Sequence, residues 1–489
     1  MTRPPFDPST TLREAGARIA HGQALSRLGD WAQAAERYHA ALDIAPDQPE
    51  AYFHLATAQA QMGDIGGAID SLNSALAFES NHVGARTNLG HLLRATGRND
   101  AALDEYRRAL YLAPQDPALR FHIAGTLAAA DRMEEAIIWF TQAADAQHLP
   151  AFAALGTIHL QLGQPGDALR WFRMAHQAGD TSPTARLGEA LSLLTLGHLK
   201  AGWDGYEARP APSPFLGGRN SALRWTGAQA VRGKTLLVWA EQGLGDSIMF
   251  ARYVPLLRQR GARVILTVQA PLLPLVSDMA DRVVAEGSTV TFDLHCPLPS
   301  LPRAFGTEMG NIPARTPYLF ADIERIKRWR PRLGPAPRIG VVWAGNPDHA
   351  GDRQRSLTRD HVMPLLSIPG ISWHVLQKEV TADDEVALSD LPHVHVPGPG
   401  FADFADTAAF LTGLDLVVTV DTSVAHLAGA LGKPCWIMLP HAADFRWLRD
   451  RDDSPWYPSV RLFRQSHRHD WPTVITAVTT ALRVFLAER

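Results

Sequence analysis

Cysteine is scarce in this chain of 489 residues, in which only Cys296 and Cys435 occur. Two isolated cysteines offer neither a disulfide framework nor a metal-binding spacing, which favours a reducing compartment. No stretch approaches the roughly 18 consecutive apolar residues of a membrane-spanning helix. The first residues, Met1 to Arg13, lack the apolar segment of a signal peptide. We therefore expect a cytoplasmic protein without a membrane span.

The chain also has no large excess of positive or negative charge. The formal net charge is −3, and lysine and arginine form no long run. The positive surface that binds nucleic acid is therefore not expected. Hydrophobic residues make up 46% and charged residues 20% of the chain, which is typical of a globular protein with large cores. The length favours two or three domains.

The first 200 residues repeat at a spacing of 34. In each of four copies, two positions hold small residues and a third holds an aromatic residue or leucine. A fifth copy is shifted by two residues. The repeated residues are Gly22, Ala56, Gly90 and Ala124; Ala34, Ala68, Ala102 and Ala136; and Tyr38, Leu72, Tyr106 and Phe140. Small residues at this period indicate helices that cross closely, with the aromatic filling the space beside them. The pattern resembles the tetratricopeptide repeat.

This resemblance implies an α-solenoid over residues 1–209, wound into a superhelix with a concave groove. Such a groove binds a peptide or a partner protein; the alternative is that the array only spaces or oligomerises the rest of the chain. His54, Asn73, Asn88 and His122 are candidate polar residues of the groove. A solvated helix face would explain the same four residues.

Proline and glycine predict a linker over residues 210–230, and the pattern then changes to short apolar runs alternating with amphipathic segments. This alternation is typical of an α/β fold. We expect two Rossmann-like lobes, residues 231–330 and 331–489, with helices that include Asp246–Arg258 and Pro271–Met279. The predicted strands are Thr235–Ala240, Arg263–Val268, Arg282–Ala285, Arg338–Trp343, Ser372–Gln377, Leu416–Val420 and Cys435–Leu439.

The first lobe opens with a strand, a glycine-containing turn and a helix. The turn comprises Glu241, Gln242, Gly243, Leu244, Gly245 and Asp246. Two glycines fit a dinucleotide fingerprint, but Ile248 occupies the third position. A carboxylate at the start of the helix would repel a pyrophosphate, so Asp246 fits better as a general base for a hydroxyl acceptor. The alternative is that Asp246 only caps its helix.

The second lobe contains a strand that ends at Val420 and a helix that follows at once. Asp421, Thr422, Ser423 and His426 surround the start of this helix. Backbone N–H groups and the helix dipole favour a phosphate at such a position. We therefore expect a phosphorylated ligand there.

Gly245-Asp246 and the segment from Val420 to Leu427 resemble the two signatures of bacterial heptosyltransferases. The resemblance covers about residues 230–480 and implies a GT-B glycosyltransferase that uses a nucleotide-sugar without a metal or other cofactor. It also implies that Asp246 is the catalytic base and that Asp421, Thr422, Ser423 and His426 hold the donor. With the repeats, the whole chain is similar to bacterial protein glycosyltransferases, including flagellin-modifying ones, and in outline to O-linked N-acetylglucosamine transferases.

Further segments fit the same cleft. Gly345 permits close approach to a nucleotide, and Arg353 or Arg355 would neutralise the leaving phosphate; a solvated basic loop is the alternative. Asn346 belongs to the same turn, and Gln377 is expected near the base or ribose. Glu241, Gln242, Gly243 and Gly245 are assigned to the acceptor side. Arg446 and Trp447 border either the donor or a buried junction between the lobes.

The sequence thus predicts a metal-independent glycosyltransferase that moves a sugar from a nucleotide-sugar to a protein hydroxyl, such as a serine or threonine of flagellin, presented by the repeat groove. The alternative is a non-catalytic protein-binding scaffold with a degenerate nucleotide-sugar-binding domain. The identities of the sugar, nucleotide and acceptor, the stereochemical outcome and homo-oligomer formation stay open.

Overall fold

The computed structural model describes residues 8–210, 221–348 and 351–488. Residues 211–220 of the predicted linker lie outside the described residues. The chain forms two compact units. The first ends at Ile158 and also takes in Met174–Asp180, and the second comprises His159–Arg173 and the described chain from Thr181 onward.

Residues 8–206 form helices joined by short turns, as the 34-residue period predicts. The helices are α1 (Pro8–Arg27), α2 (Trp31–Leu42), α3 (Pro49–Gln61), α4 (Ile65–Phe78), α5 (Val83–Ala95), α6 (Asn99–Leu112), α7 (Pro117–Ala129), α8 (Met133–Asp145), α9 (Leu149–Gln161), α10 (Pro165–Gln177), α11 (Pro183–Thr195) and α12 (Leu199–Tyr206).

The turn inside each helix pair explains the period. Gly29, Gly63 and Gly97 adopt left-handed backbone angles with φ near +80°, and Asp131 takes the same position with φ of +62°. Glycine is favoured in this region because a side chain there is strained. Gly163 follows after 32 residues rather than 34, so the two-residue shift predicted for the fifth copy is confirmed.

The recurring small residues lie under the recurring aromatics. A methyl group added to Gly22 would lie 2.6 Å from the Tyr38 ring, and one added to Gly90 would lie 2.6 Å from the Tyr106 ring. Both tyrosine side chains are fully buried. Close helix crossing therefore depends on the absence of a side chain at these two positions.

The α/β part begins with a four-stranded parallel sheet in the order β3-β2-β1-β4. Its elements are β1 (Thr235–Trp239), α13 (Leu244–Phe250), α14 (Val254–Gln259), β2 (Arg263–Val268), β3 (Arg282–Ala285), β4 (Leu294–Pro297) and α15 (Leu301–Ala304). The predicted helix Asp246–Arg258 is interrupted by a 3-10 turn at Ala251–Tyr253. The predicted helix Pro271–Met279 is wrong: only a 3-10 turn, Ala270–Leu272, forms beside the prolines of this segment.

A six-stranded parallel sheet follows, in the order β10-β9-β8-β5-β6-β7. Its elements are α16 (Ile323–Trp329), β5 (Arg338–Val342), α17 (Asp352–Arg355), α18 (Arg359–Leu366), β6 (Ser372–Val375), α19 (Ala382–Ser389), β7 (Val394–His395), α20 (Phe404–Thr412), β8 (Leu416–Val420), α21 (Ser423–Ala430), β9 (Cys435–Leu439), β10 (Val460–Arg464) and α22 (Trp471–Ala487). Numbered within this lobe, the strand order is 3-2-1-4-5-6, the doubly wound Rossmann order.

One hydrophobic core joins the two sheets and includes Leu194 and Trp203 from the last two repeat helices. The Trp203 ring makes edge contacts with Phe250 and Trp456, one from each lobe. A second core lies on the other face of the six-stranded sheet. The two lobes and helices α11 and α12 are thus held together by a shared apolar interior.

Among the described residues, no helix is both long enough and apolar enough to cross a bilayer.

Candidate functional site

The strand orders locate the candidate site before any side chain is considered. In open parallel sheets, ligands bind beyond the carboxyl ends of the strands where the order reverses. In the larger sheet this point lies between β5 and β8, which pair directly. The segments that follow these strands carry Gly345, Arg355, Asp421 and Thr422. In the smaller sheet β1 lies between β2 and β4, and its carboxyl end leads to Asp246.

Asp246 caps its own helix and also makes an ion pair. Its Oδ2 accepts a hydrogen bond from the Gly243 N–H at 2.9 Å, which closes the first turn of α13. Its Oδ1 is bonded to Nη2 of Arg446. The Asp246 side chain is 17% exposed. Asp246 therefore caps its helix but does not only cap it, and the role as a base stays a prediction.

Arg446 connects the two lobes. It comes from the loop after β9, lies 10% exposed, and donates a second bond from Nη1 to Asp444 Oδ1 at 2.7 Å. Its buried Nε has no hydrogen-bond partner among the described residues. One guanidinium from the second lobe thus holds two carboxylates, Asp246 of the first lobe and Asp444 of the second.

Helices α13 and α21 pack at their first turns. A methyl group on Gly245 would lie 2.8 Å from Cδ2 of His426 and 3.5 Å from the Cα of Ser423. Both distances are shorter than or at the lower limit of ordinary contact, so a side chain at Gly245 would clash with α21. Gly245 therefore serves helix packing across the lobes as well as the turn predicted for it.

His426 is buried beneath the start of α21. Its Nδ1 lies 2.9 Å from the Tyr457 hydroxyl, and its ring stacks on Trp447 at 5.3 Å. Its Nε2 is 4.0 Å from Asp421 Oδ1. Burial, followed by the nearby arginines led by Arg446, holds the pKa of His426 well below its usual value, so the ring is neutral at pH 7.

Asp421 lies at the end of β8 with its side chain 14% exposed. Burial, followed by the negative charge of Asp444, raises the pKa of Asp421 to about 6, although Arg446 and Arg355 oppose the shift. Among the described side chains none caps the first turn of α21. The Thr422 hydroxyl instead lies 3.1 Å from that of Thr419. Backbone N–H groups at the start of α21 can therefore donate hydrogen bonds to an anion.

Arg355 also contacts the end of β8. It belongs to α17, which follows β5, the strand that pairs with β8. Its Nη1 donates to the Asp421 carbonyl at 3.0 Å, and its Nε donates to Asp352 Oδ1 at 3.2 Å. A methyl group on Gly345 would lie 2.6 Å from the Arg355 guanidinium. The predicted group of Gly345, Arg355 and Asp421 is thus brought together, and Asp352 joins it.

Other predicted donor residues lie apart from this group. Arg353 is exposed, and so is Asn346, whose Oδ1 accepts the Asp348 N–H at 3.0 Å. Gln377 accepts N–H bonds from Trp343 and Ala344 at 2.9 and 3.2 Å, so its amide joins the ends of β6 and β5.

On the acceptor side, Glu241 and Gln242 are held by the segment that ends the repeats. Both Glu241 oxygens accept from Arg209, at 2.7 and 3.1 Å, and the side chains of both residues are 2% exposed. The Gln242 amide bonds to the Tyr206 hydroxyl. Through these contacts, Glu241 and Gln242 hold in place the turn that precedes Asp246.

In the first unit, His54, Asn88 and His122 occupy equivalent positions of α3, α5 and α7, whereas Asn73 is exposed on α4. His54 stacks on Tyr38 and His122 on Tyr106. Burial, followed by His91, lowers the pKa of His122 to about 4. This helix face therefore offers neutral rings rather than charge at pH 7.

Three residues of the site were not predicted from the sequence: Asp444, Tyr457 and Asp352. Asp444 follows β9 by only a few residues, so the rule that ligands gather at strand ends would have drawn attention to it. Tyr457 carries no local signal, since it meets His426 only through the fold.

The helical part matches the family model described as TPR repeat over residues 22–63 and the model described as tetratricopeptide repeat over residues 51–188. The N-terminal helices therefore form an array of tetratricopeptide repeats. A C-terminal region of parallel sheets and helices follows this array.

The chain is 29% identical to Protein FlbA of Caulobacter vibrioides over 515 residues, which cover 95% of this chain and 83% of that protein. It is 34% identical to DnaJ homolog subfamily C member 3 of Mus musculus over 95 residues, 19% of each chain. Among solved structures, PilW, a type IV pilus biogenesis factor, has a TM-score of 0.37 at 19% identity and covers 40% of this chain and 90% of its own. The TPR protein YrrB has a TM-score of 0.31 at 22% identity, covering 34% and 88%.

Proposed function

We propose that the α/β part is a metal-independent glycosyltransferase and that the repeats recruit its protein acceptor. The observation that carries this proposal is the contact between Asp246 and Arg446. It joins an acid at the end of β1 to a cation beside the uncapped start of α21. The proposal also draws on the resemblance to heptosyltransferases and to flagellin-modifying protein glycosyltransferases.

The donor phosphate would bind at the start of α21, near Thr422 and Ser423, where backbone N–H groups and two arginines favour negative charge. Arg355 already contacts the carbonyl of Asp421 there. Arg446 would exchange Asp246 for the phosphate as its partner, because a guanidinium binds either oxyanion in the same fork geometry. This exchange would release Asp246 from its ion pair.

The released carboxylate would then act as general base. The acceptor oxygen forms a bond to the anomeric carbon, the bond from that carbon to the phosphate oxygen breaks, and the nucleotide leaves with the electron pair. The hydroxyl proton passes to Asp246. A serine or threonine of a protein such as flagellin supplies the hydroxyl, in line with the resemblance.

The test uses the full-length chain with UDP-, CMP-, ADP- and GDP-sugars. Donor binding is measured by the rise in melting temperature, since a ligand of the folded state stabilises it by mass action. Turnover is measured as released nucleotide. Asp246→Asn should lower turnover by about 100-fold or more, the usual contribution of a general base. The matched control is Asp278→Asn, which changes an exposed carboxylate of the same lobe.

Asp246→Asn should also leave donor binding intact or tighten it, because Arg446 no longer has to exchange partners. Unchanged turnover in this variant would remove the base role. Failure of all donors both to stabilise the chain and to release nucleotide would refute the proposal as a whole.

A second candidate is a protein-binding scaffold whose α/β part does not catalyse. It is favoured by the engagement of both Asp246 oxygens and by the packing of Gly245 on His426. In that case a partner protein would bind equally to the parent chain and to Asp246→Asn, and neither would release nucleotide from any donor.

A further inference from the structure

A cavity of about 490 Å³ lies in the second unit and is lined in part by Asp444, the second partner of Arg446. One wall is the turn between α9 and α10 together with α11, and the other is formed by residues 441–450 and 464–466. The latter segments follow the carboxyl ends of β9 and β10, the edge of a parallel sheet where ligands bind. The volume falls within the range of small-molecule sites.

Arg464 is the first feature of the cavity that points to a ligand. Its Nε and Nη2 donate to the main-chain carbonyls of Arg451 and Trp447. Within the described part of the chain, no carboxylate pairs with its guanidinium. Burial, followed by the charges of Arg449 and Arg451, lowers its pKa to about 10 despite Asp450. A largely buried cation without a paired carboxylate is unfavourable unless an anion compensates it.

Gln465 is the second feature and is independent of the first. It is 5% exposed, and its Oε1 accepts the His441 N–H at 3.1 Å, which fixes the orientation of the amide. Its buried Nε2 has no partner among the described residues. A buried amide donor without an acceptor costs free energy, so a ligand oxygen would satisfy it.

The two aspartates of the cavity each lie beside an arginine other than Arg464. Asp444 is bonded to Arg446, which it shares with Asp246. Asp450 is exposed and lies 3.9 Å from Arg449. Arg464 is therefore influenced by the charge of Asp450 but has no ion-paired carboxylate among the described residues. Leu160, Leu191 and Leu448 supply apolar walls beside it.

We propose that this cavity binds a small molecule that carries a phosphate or carboxylate group on an apolar body. The anion pairs with Arg464 and Arg449 and accepts from Gln465 Nε2, and the apolar body lies against the leucines. This site borders the Arg446 network, with which it shares Asp444, and the argument for it does not depend on the proposed transfer reaction.

The probes are phenyl phosphate and benzoate, with inorganic phosphate to separate the anion from the apolar body. Binding to the full-length chain is measured by titration calorimetry. Phenyl phosphate or benzoate should bind saturably, and inorganic phosphate more weakly. Gln465→Glu should weaken binding at least about tenfold, because the new carboxylate takes the place of the ligand anion beside Arg464.

Arg449→Gln should weaken binding in the same direction, and because its side chain is partly exposed it guards against a folding defect. Arg461→Gln, an exposed arginine on the same strand as Arg464, is the matched control and should bind like the parent. Melting temperatures establish that each variant is folded.

Two results would overturn the proposal. One is the absence of saturable binding by the parent chain up to about 10 mM of each probe. The other is binding that persists in Gln465→Glu and is lost in Arg355→Gln, which would assign the probe to the start of α21.

Discussion

Gly245→Ala tests the contact between the two lobes with the smallest possible change. The added methyl group would lie 2.8 Å from Cδ2 of His426, closer than carbon atoms in proteins approach. The imidazole cannot easily move away, since Nδ1 is bonded to Tyr457 and the ring stacks on Trp447. The strain must therefore be relieved by a shift of α13 relative to α21.

The expected loss of stability follows from two opposing effects. Overpacking a tight interior costs about 1–3 kcal/mol, and alanine gains about 0.5–1 kcal/mol over glycine within a helix. The net prediction is a loss of about 1–2 kcal/mol in the free energy of unfolding. Under the proposed function, turnover should also fall, because Asp246 is the next residue along the shifted helix.

Urea unfolding measures the effect, and Gly166→Ala provides the control. Gly166 lies in α10, and a methyl group there meets nothing within 4 Å. This control should gain the helical preference and become slightly more stable. A double variant with His426→Ala should recover most of the cost of Gly245→Ala, since the clashing ring is gone. If Gly245→Ala behaves like Gly166→Ala, the close packing of α13 on α21 is refuted.

Three further outcomes are expected. The pKa of Asp421 is raised to about 6, so the folded state binds a proton more tightly than the unfolded state and loses stability as pH rises from about 4 to 6. Asp421→Asn should therefore be more stable than the parent by about 3 kcal/mol at pH 8, and the difference should vanish near pH 4 in urea titrations. Burial, followed by His395, lowers the pKa of His374 to about 4. The folded state therefore keeps the stability that depends on a neutral ring above pH 6.5 and loses it as pH falls toward 4. His374→Leu should make the melting temperature less sensitive to acid. Glu241→Gln should cost about 1.5–3 kcal/mol, because the buried Arg209 loses its bidentate carboxylate and keeps only the Glu207 carboxylate at 3.0 Å. Asp204→Asn, which breaks the exposed pair with Arg303, should cost under about 1 kcal/mol. Equal urea midpoints for these two variants would contradict the buried pairing.

Local signals predicted most of the secondary structure. The 34-residue period is fixed by turn geometry and by aromatic rings over glycine, both of which leave a direct mark on the sequence. The seven predicted strands are all present, because buried parallel strands are continuous apolar runs. Three strands were missed: β4 contains a histidine and a proline, β7 has two residues, and β10 alternates with arginine.

The candidate site was predictable only in part, for a physical reason. Thr422 and Ser423 could be placed at a strand end because strand, cap and helix are contiguous in sequence. Arg446 and Asp246 are 200 residues apart, and their pairing arises only when both lobes are packed. Gln377 occupies the predicted strand end but satisfies backbone N–H groups there. A strand-end position therefore does not decide whether a polar side chain faces a ligand or the chain itself.

The pairing of Arg446 also sets a condition on any ligand at the start of α21. The guanidinium is bonded to Asp246 and Asp444. A ligand that displaces Asp246 must therefore interact with the site more favourably than that carboxylate does. A phosphate meets this condition because it adds the backbone N–H groups of α21 and the charge of Arg355 to the bond with Arg446. A neutral sugar does not, since it leaves Arg446 on Asp246 and the carboxylate engaged. Under the proposed function, this arrangement predicts ordered binding, in which the acceptor hydroxyl meets a free carboxylate only after the donor phosphate has bound.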